Sequence, residues 1–340
     1  MLKISLPDRL LAVEIIPVLK SRRQELPNYP ELLKELESYQ FITYVDECIR
    51  EWILKLAALE IHEAGVSFKD NLVEYSNERH KHIAFHTLFQ CKYDRLLKIS
   101  GIQSHPCRIV FSLVRFYPYA SLPTHGSERK FLVERITQLL SLLEHRTGEV
   151  RWAYIEAQAT STLQIQEVTG SRSSTYHVDV LGCSAENQYE VVFVEQSGGP
   201  TSRDQTHCLD DSEELINEAI NGLRAILCEN LDAPIKSAGK LRTYCIQVIR
   251  DRVTLLAVQI IGPNKYAILE LKSARFPNDW EHLDLFIDVL ELAFCLVAEM
   301  KKQKQARKTL RLESRSHSMS TTETRCREWL TPVHTRVEKE

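Results

Sequence analysis

The stretch HVDVLGCSAENQYEVVFVEQS, residues 177–197, decides how the middle of this chain folds. Two segments rich in Val and other apolar residues flank the polar run SAENQ at 184–188. This pattern is typical of two antiparallel strands joined by a turn. We therefore predict strands at 176–183 and 189–197, paired as a hairpin.

Two acidic residues of this hairpin, Asp179 and Glu195, lie equally far from residue 187 at the middle of the turn. In a hairpin centred there, they face each other with Cβ atoms roughly 4.5–5.5 Å apart. Two facing carboxylates repel unless a cation or a proton lies between them. Mg²⁺ prefers one or two carboxylates, with water and phosphate as its other ligands, and this suits metal-assisted phosphodiester cleavage. The alternative is an exposed strand Asp and an edge Glu that never meet.

The segments on either side of the hairpin alternate between helical and strand patterns. The predicted elements are, in order, a helix from Ser127 to about Arg146, a strand at 150–156, the two hairpin strands, a helix beginning at Asp211 or Ser212, strands at 241–249, 253–261 and 266–272, and a helix at about 279–305. This order, α-β-β-β-α-β-β-β-α, predicts an α/β fold with a mixed sheet flanked by helices.

The chain also divides into regions of different composition. The first 100 residues carry apolar side chains at three- and four-residue steps, the mark of amphipathic helices. The stretch PYASLPTHGS at 118–127, with two Pro and a Gly, is typical of a linker. The late run SRSHSMSTTET has the composition of a disordered segment. We therefore predict a helical N-terminal region at 1–120, an α/β domain at 127–308 and a disordered basic tail at 309–340.

The charge of the chain is nearly balanced, with 43 Lys and Arg against 46 Asp and Glu and a net charge of −3. Residues 301–340 hold 11 Lys and Arg against 5 Asp and Glu, which leaves 32 against 41 in the first 300 residues. An acidic body repels a phosphate backbone unless a metal ion or a local basic groove intervenes. The basic cluster at 301–308 is therefore either a nucleic-acid or nuclear-localisation patch, or a helix C-terminus whose dipole favours cations.

Several classes of protein are disfavoured by composition. Glycine is scarce, 11 in 340 residues, and no G-x-G-x-x-G or G-x-x-x-x-G-K-[ST] phosphate loop occurs. Nine cysteines at irregular spacings without a C-x-x-C pair fit a reducing compartment, so we expect a cytoplasmic or nuclear protein. The most apolar late stretch, 283–298, carries three acidic residues, so no membrane association is expected.

The helix start SERKFLVERI, the strand RWAYIEA, a following Asp and the strand EVVFVEQSGGP together resemble the core of the PD-(D/E)XK nuclease-like superfamily. The later stretches CIQVIRDRVTLLAV and KYAILELKSARFPNDW resemble a group of proteins of Mucor-like fungi that carry such a core. The resemblance covers about residues 127–310. It implies a PD-(D/E)XK-like mixed sheet flanked by helices, Mg²⁺ held by Asp179 and Glu195, and a helix acid at Glu128 or Glu134.

The resemblance also implies a Lys two residues after the Glu, which orients the attacking water, but this chain has Ser197 there. A neutral hydroxyl does not stabilise the negative charge that develops on the phosphate in the transition state. Such stabilisation is usually a large part of catalysis. Arg172 is a candidate substitute from the preceding loop. The leading hypothesis is a Mg²⁺-dependent nuclease acting on nucleic acid. The competing hypothesis is a non-catalytic binding module that uses the helical half to engage a protein or nucleic-acid partner.

A rival acidic site retains its Lys. Asp251 followed by Glu270-Leu271-Lys272 has the D…E-x-K form. A hairpin formed by 253–261 and 266–272 is expected to bring Asp251 near Lys272. Against this site, short E-x-K patterns are common by chance in strands that end at solvent, and the stretch lies beyond the site implied by the resemblance.

Overall fold

A six-stranded mixed β-sheet forms the centre of the protein in a computed structural model. The structure describes residues 128–158, 177–198, 205–277, 280–316 and 323–330, together with Lys34, Glu47, Arg50 and Leu54. The strands are β1 (Val150–Gln158), β2 (His177–Ser184), β3 (Glu190–Ser197), β4 (Arg242–Ile249), β5 (Arg252–Gly262) and β6 (Lys265–Arg275). The predicted α/β fold with a mixed sheet is therefore confirmed.

Helices pack on both faces of this sheet. The first, α1, runs from an α-helical turn (Glu128–Phe131) through a π-helical segment (Leu132–Ile136) to a longer α-helical part (Thr137–Thr147). The others are α2 (Gln205–Cys228), α3 (Ile235–Ala238), α4 (Phe286–Arg315), which a 3₁₀ turn (Trp280–Leu285) precedes, and α5 (Cys326–Leu330).

The strands lie in the sheet in the same order as in the chain, β1-β2-β3-β4-β5-β6. All neighbouring pairs are antiparallel except β3 and β4, which are parallel and are joined by the long connection that contains α2. A parallel pair requires such a crossover, whereas short turns suffice for the antiparallel pairs. The sheet is thus two antiparallel three-stranded halves joined along one parallel pair.

The two faces of the sheet bury different helices. The larger core cluster joins α1 and α4 to strand residues such as Val194 and Ile246. The smaller cluster joins Leu215 and Ala219 of α2 to Phe193 and neighbouring side chains on the opposite face. We call these the α4 face and the α2 face of the sheet.

Helix α2 approaches the sheet closely at Gly222. A Cβ atom at this position would lie 2.7 Å from Phe193 Cζ and 2.9 Å from the Glu190 carbonyl oxygen. Such distances are too short for a side chain, so glycine is required where the helix crosses β3. This close approach fixes the position of α2 over β3 and β4.

The N-terminal region predicted at 1–120 is described only at Lys34, Glu47, Arg50 and Leu54, each of which is helical. The rest of that region, and the predicted linker, lie outside the described residues. Arg50 donates to Glu291 of α4, with 3.1 Å between Arg50 Nη2 and Glu291 Oε1.

The predicted disordered tail at 309–340 needs correction in the two ranges that the structure describes. Helix α4 extends to Arg315, and Leu310 is fully buried. Residues 323–330 dock beside the end of α2, where the Cys326 N–H donates to the Ala233 carbonyl oxygen at 3.0 Å. Cys326 and Leu330 are buried there. Tertiary burial of these apolar side chains thus overrides the polar composition of the segment.

Candidate functional site

The acidic pair predicted from the hairpin, Asp179 and Glu195, lies across β2 and β3. The register pairs Val180 with Val194 and Leu181 with Phe193, so one further step places Asp179 opposite Glu195. Both side chains are partly buried. The two acidic residues are therefore brought together at the open end of the hairpin.

Two reciprocal hydrogen bonds tie each carboxylate to the opposite strand. The Gln196 N–H donates to Asp179 Oδ2 at 2.9 Å, and the Asp179 N–H donates to Glu195 Oε2 at 3.2 Å. Hydrogen bonds from N–H groups to a carboxylate are charge-assisted and restrict its orientation. The two bonds therefore hold both carboxylates against the backbone at the ends of β2 and β3.

Ser197, at the position of the expected Lys, is fully buried. Its hydroxyl has no hydrogen-bond partner within the described residues, while its carbonyl oxygen accepts a weak bond from the Cys208 thiol of α2 at 3.8 Å. Gly198, with φ at 75°, turns the chain directly after it. A buried hydroxyl carries no charge, so Ser197 does not supply the cation that is expected at this position.

A row of polar side chains extends from Glu195 across the sheet. The register places Glu195 beside Gln247 on β4, Gln247 beside Thr254 on β5, and Thr254 beside Ser273 on β6. The hydroxyl oxygens of Thr254 and Ser273 are 3.2 Å apart and hydrogen-bonded. The row therefore reaches from the acidic pair to the far edge of the sheet.

Helix α2 covers the middle of this row. The Gln247 side-chain amide donates to Ser212 Oγ, close to where α2 crosses the sheet. Sequence reasoning missed Gln247 and Ser212, although one signal was available. Gln247 interrupts the otherwise apolar run CIQVI, and a polar residue inside a buried strand usually has a hydrogen-bond partner.

The rival set Asp251, Glu270 and Lys272 does not assemble as predicted. A bulge in β6 pairs Lys272 with Leu255 and Glu270 with Leu256, and consecutive residues of β5 point to opposite faces. Asp251 instead accepts two hydrogen bonds from the Arg275 guanidinium. The expectation that the hairpin brings Asp251 near Lys272 is therefore wrong.

The charges around the rival residues agree with this separation. Burial raises the pKa of Glu270, and the nearby Arg252 guanidinium opposes this rise. Burial raises the pKa of Asp288 on α4, and the charge of the nearby Lys272 opposes this rise. Glu270 thus belongs to the α2 face and Lys272 to the α4 face.

The remaining predicted site residues are only partly described. Glu128 and Glu134 both lie on α1, which packs in the larger core cluster of the α4 face; their side chains, and Arg172, lie outside the described residues. Among the described side chains, no group of three or more His, Cys, Asp or Glu is arranged to hold a metal ion. The metal site expected from the sequence would therefore have only two carboxylate ligands, a donor set that would suit Mg²⁺ with mostly water ligands.

No protein-family model, curated protein or solved structure matches this chain. Within the described residues, no helix combines the length and the apolar character needed to cross a membrane.

Proposed function

We propose that this chain is a nuclease of the PD-(D/E)XK type that holds Mg²⁺ at Asp179 and Glu195 and hydrolyses phosphodiester bonds in nucleic acid. The observation that carries the proposal is the pairing of these two carboxylates, each hydrogen-bonded to a backbone N–H of the opposite strand. Two oriented carboxylates at the end of a hairpin form the kind of site that Mg²⁺ occupies together with substrate phosphate.

The order of elements supports the same proposal. A helix, three antiparallel strands, a crossover helix and a parallel fourth strand follow one another here as α1, β1 to β3, α2 and β4. The helix, the strand and the two acidic strands that carry the resemblance in the sequence follow one another here in the same order. The acidic residues lie on the second and third strands, as that resemblance implies.

The chain's own residues would perform a limited set of tasks. Asp179 and Glu195 would hold the ion, and the N–H groups of Asp179 and Gln196 would keep the two carboxylates in place. Gln247, next to Glu195 and bound to Ser212, would support this arrangement from β4. Bound Mg²⁺ would supply Lewis-acid stabilisation of charge on the phosphate oxygens.

A second candidate function is a non-catalytic nucleic-acid or protein-binding module. The observation that favours it is Ser197, because its buried, neutral side chain replaces the cation that the resemblance implies. Removal of one group that stabilises transition-state charge typically costs 10²–10³ in rate. On this alternative the sheet is retained for stability and the acidic pair is a structural clamp.

The experiment compares the wild-type protein with Asp179→Asn and Glu195→Gln. Cleavage of labelled single- and double-stranded DNA and of RNA is measured with Mg²⁺ or Mn²⁺, and Mn²⁺ binding is measured separately by calorimetry. The proposal predicts Mg²⁺-dependent cleavage that falls by about 10² or more in either variant, together with weaker Mn²⁺ binding. Circular dichroism checks that both variants are folded.

Glu270→Gln is the matched control, because it removes a carboxylate from the same face of the sheet without touching the pair. It should retain both cleavage and Mn²⁺ binding. Cleavage that persists in the double variant Asp179→Asn with Glu195→Gln would sink the proposed site. Absence of cleavage for every substrate and metal would favour the binding module.

A further inference from the structure

The C-terminal half of α4 carries a line of basic side chains along one side. Their spacing of three, four, three and four residues places all of them on the same side of the helix. The members of this basic stripe are Lys301, Lys304, Lys308, Arg311 and Arg315. Over these residues the helix rises about 21 Å, so the stripe is a straight ridge four turns long.

The helix dipole does not account for this stripe. α4 ends at Arg315, and the dipole favours cations only within about the last turn of a helix. Lys301, Lys304 and Lys308 lie two to four turns before that end. A position at the helix C-terminus therefore does not explain these three lysines.

Little negative charge opposes the stripe on its own helix. In the part of α4 from residue 300 onward, the sole acidic residue is Glu313, which lies roughly 160° around the helix from the centre of the stripe. Lys301 and Lys308 are exposed and form no ion pair with any described residue. Lys304 pairs with Glu149 at 3.0 Å, although it stays about half exposed.

The groups beside this side of α4 carry both signs of charge, with Glu149 and Glu186 near Arg307 and Glu229 bound to the Tyr189 hydroxyl. The Arg311 guanidinium lies 5.5 Å from the centre of the Tyr189 ring. Arg307, one turn from Lys304 and Arg311, is buried, and its Nε and Nη1 atoms have no hydrogen-bond partner among the described residues. Burial lowers the pKa of Arg307, as expected for a cation removed from water.

We propose that this basic stripe binds the phosphate backbone of duplex nucleic acid. The choice of ligand rests on the proposed function, but the binding itself requires neither metal nor the acidic pair. At 3.4 Å per base pair, the ridge spans about six base pairs, so its five cations can contact successive phosphates. A lipid surface fits less well, because Leu312 is the one large apolar side chain exposed along the described residues of the stripe.

The test measures binding of a fluorescein-labelled 20-base-pair DNA duplex by anisotropy in EDTA, which prevents cleavage. The triple variant Lys301→Gln, Lys304→Gln, Lys308→Gln removes three charges from the stripe. The matched control removes three exposed lysines elsewhere, with Lys236→Gln, Lys240→Gln and Lys265→Gln, and has the same net charge. We expect the stripe variant to raise the Kd at least tenfold and the control variant to raise it less than threefold.

The dependence of Kd on salt gives a second readout. Each phosphate contact contributes about 0.9 to the slope of log Kd against log salt concentration. Loss of three contacts should therefore reduce this slope by about two to three in the stripe variant alone.

Equal losses in the two triple variants would overturn the inference, because net charge alone would then explain binding. Absence of wild-type binding to the duplex, or binding only to vesicles containing phosphatidylserine, would also overturn it. Binding in EDTA should depend on the stripe whether or not the wild type cleaves nucleic acid. Failure of cleavage with intact, stripe-dependent binding would thus count against the nuclease proposal and leave this inference standing.

Discussion

Arg242 on β4 and Glu299 on α4 form an ion pair in the core, with 3.2 Å between Nη1 and Oε2, where their side chains are 6% and 0% exposed. The Tyr244 hydroxyl also donates to Glu299 Oε2 at 3.0 Å. Lys302 donates to Oε1 from the protein surface at 2.8 Å. This cluster attaches α4 to the centre of the sheet.

Glu299→Gln should destabilise the protein strongly, because it leaves the Arg242 charge buried without a counter-charge. Breaking a buried pair on one side typically costs about 3–5 kcal/mol. Urea unfolding monitored by circular dichroism measures the change in unfolding free energy. Lys302→Gln is the control, since a largely exposed partner contributes only about 0–1 kcal/mol. A loss below 1 kcal/mol for Glu299→Gln would show that the pair does not stabilise the fold.

Ser197→Ala should leave stability unchanged or raise it slightly. The Ser197 hydroxyl is buried without a hydrogen-bond partner among the described residues, and such a group carries an uncompensated desolvation cost of about 1–3 kcal/mol. Thr243→Val is the contrasting change, because the Thr243 hydroxyl donates to the Ala219 carbonyl oxygen of α2 at 2.6 Å. This second variant should lose about 1 kcal/mol or more. Thermal unfolding of both variants checks the difference, and a large loss for Ser197→Ala would reveal a hidden partner of its hydroxyl.

The stability of the protein should depend on pH through Glu270. Burial raises the pKa of this carboxyl above its ordinary value of 4.5, so the folded state binds the proton more tightly than the unfolded state. The resulting stabilisation is present at low pH and is lost as the pH rises through the folded-state pKa. Glu270→Gln should therefore be more stable than the wild type at pH 7, with the gap closing below about pH 4.5.

Unfolding free energies at several pH values test this dependence. Asp251→Asn is the control, because that carboxylate pairs with Arg275 and raises the pKa of the guanidinium. It should not stabilise the protein at neutral pH. A constant difference between Glu270→Gln and the wild type across the pH range would contradict the prediction.

Gln247 and Ser212 should be energetically coupled. Their side chains are hydrogen-bonded between β4 and α2, and contacting residues typically show coupling energies of about 0.5–3 kcal/mol. A double-mutant cycle with Gln247→Ala and Ser212→Ala measures this energy from unfolding curves. Ser212→Ala combined with Gln303→Ala, on the helix of the opposite face, should be additive. Coupling in the second cycle but not in the first would contradict the observed contact.

The strands were predictable because their signals are local. Alternating or continuous apolar runs bounded by polar turns predicted the bounds of β2 to β6 to within a few residues. The equal distances of Asp179 and Glu195 from the turn were enough to predict that they pair. Helix α2 begins at Gln205 rather than at the predicted Asp211 or Ser212. Its first turns lack a regular apolar stripe, so nothing in the sequence marked their helical conformation.

The failed predictions depend on tertiary structure. In a regular strand Glu270 and Lys272 would share one face. The extra residue at Leu271 places them on opposite faces, and nothing in the sequence marked this bulge. The docked segment at Cys326–Leu330 does carry apolar residues three and four positions apart. The polar residues before this segment led to its assignment to a disordered tail.

The sequential order of the strands has a consequence for folding. Each antiparallel half of the sheet is built from contacts between neighbours in the chain, so both halves can form early at a small entropy cost. Only the parallel contact of β3 with β4 joins residues separated by the whole α2 connection, and contacts of that kind slow folding. We expect association of the two antiparallel halves to be the rate-limiting step of folding. Substitutions at the β3–β4 contact should therefore slow folding, and substitutions within β1–β3 or β4–β6 should mainly accelerate unfolding.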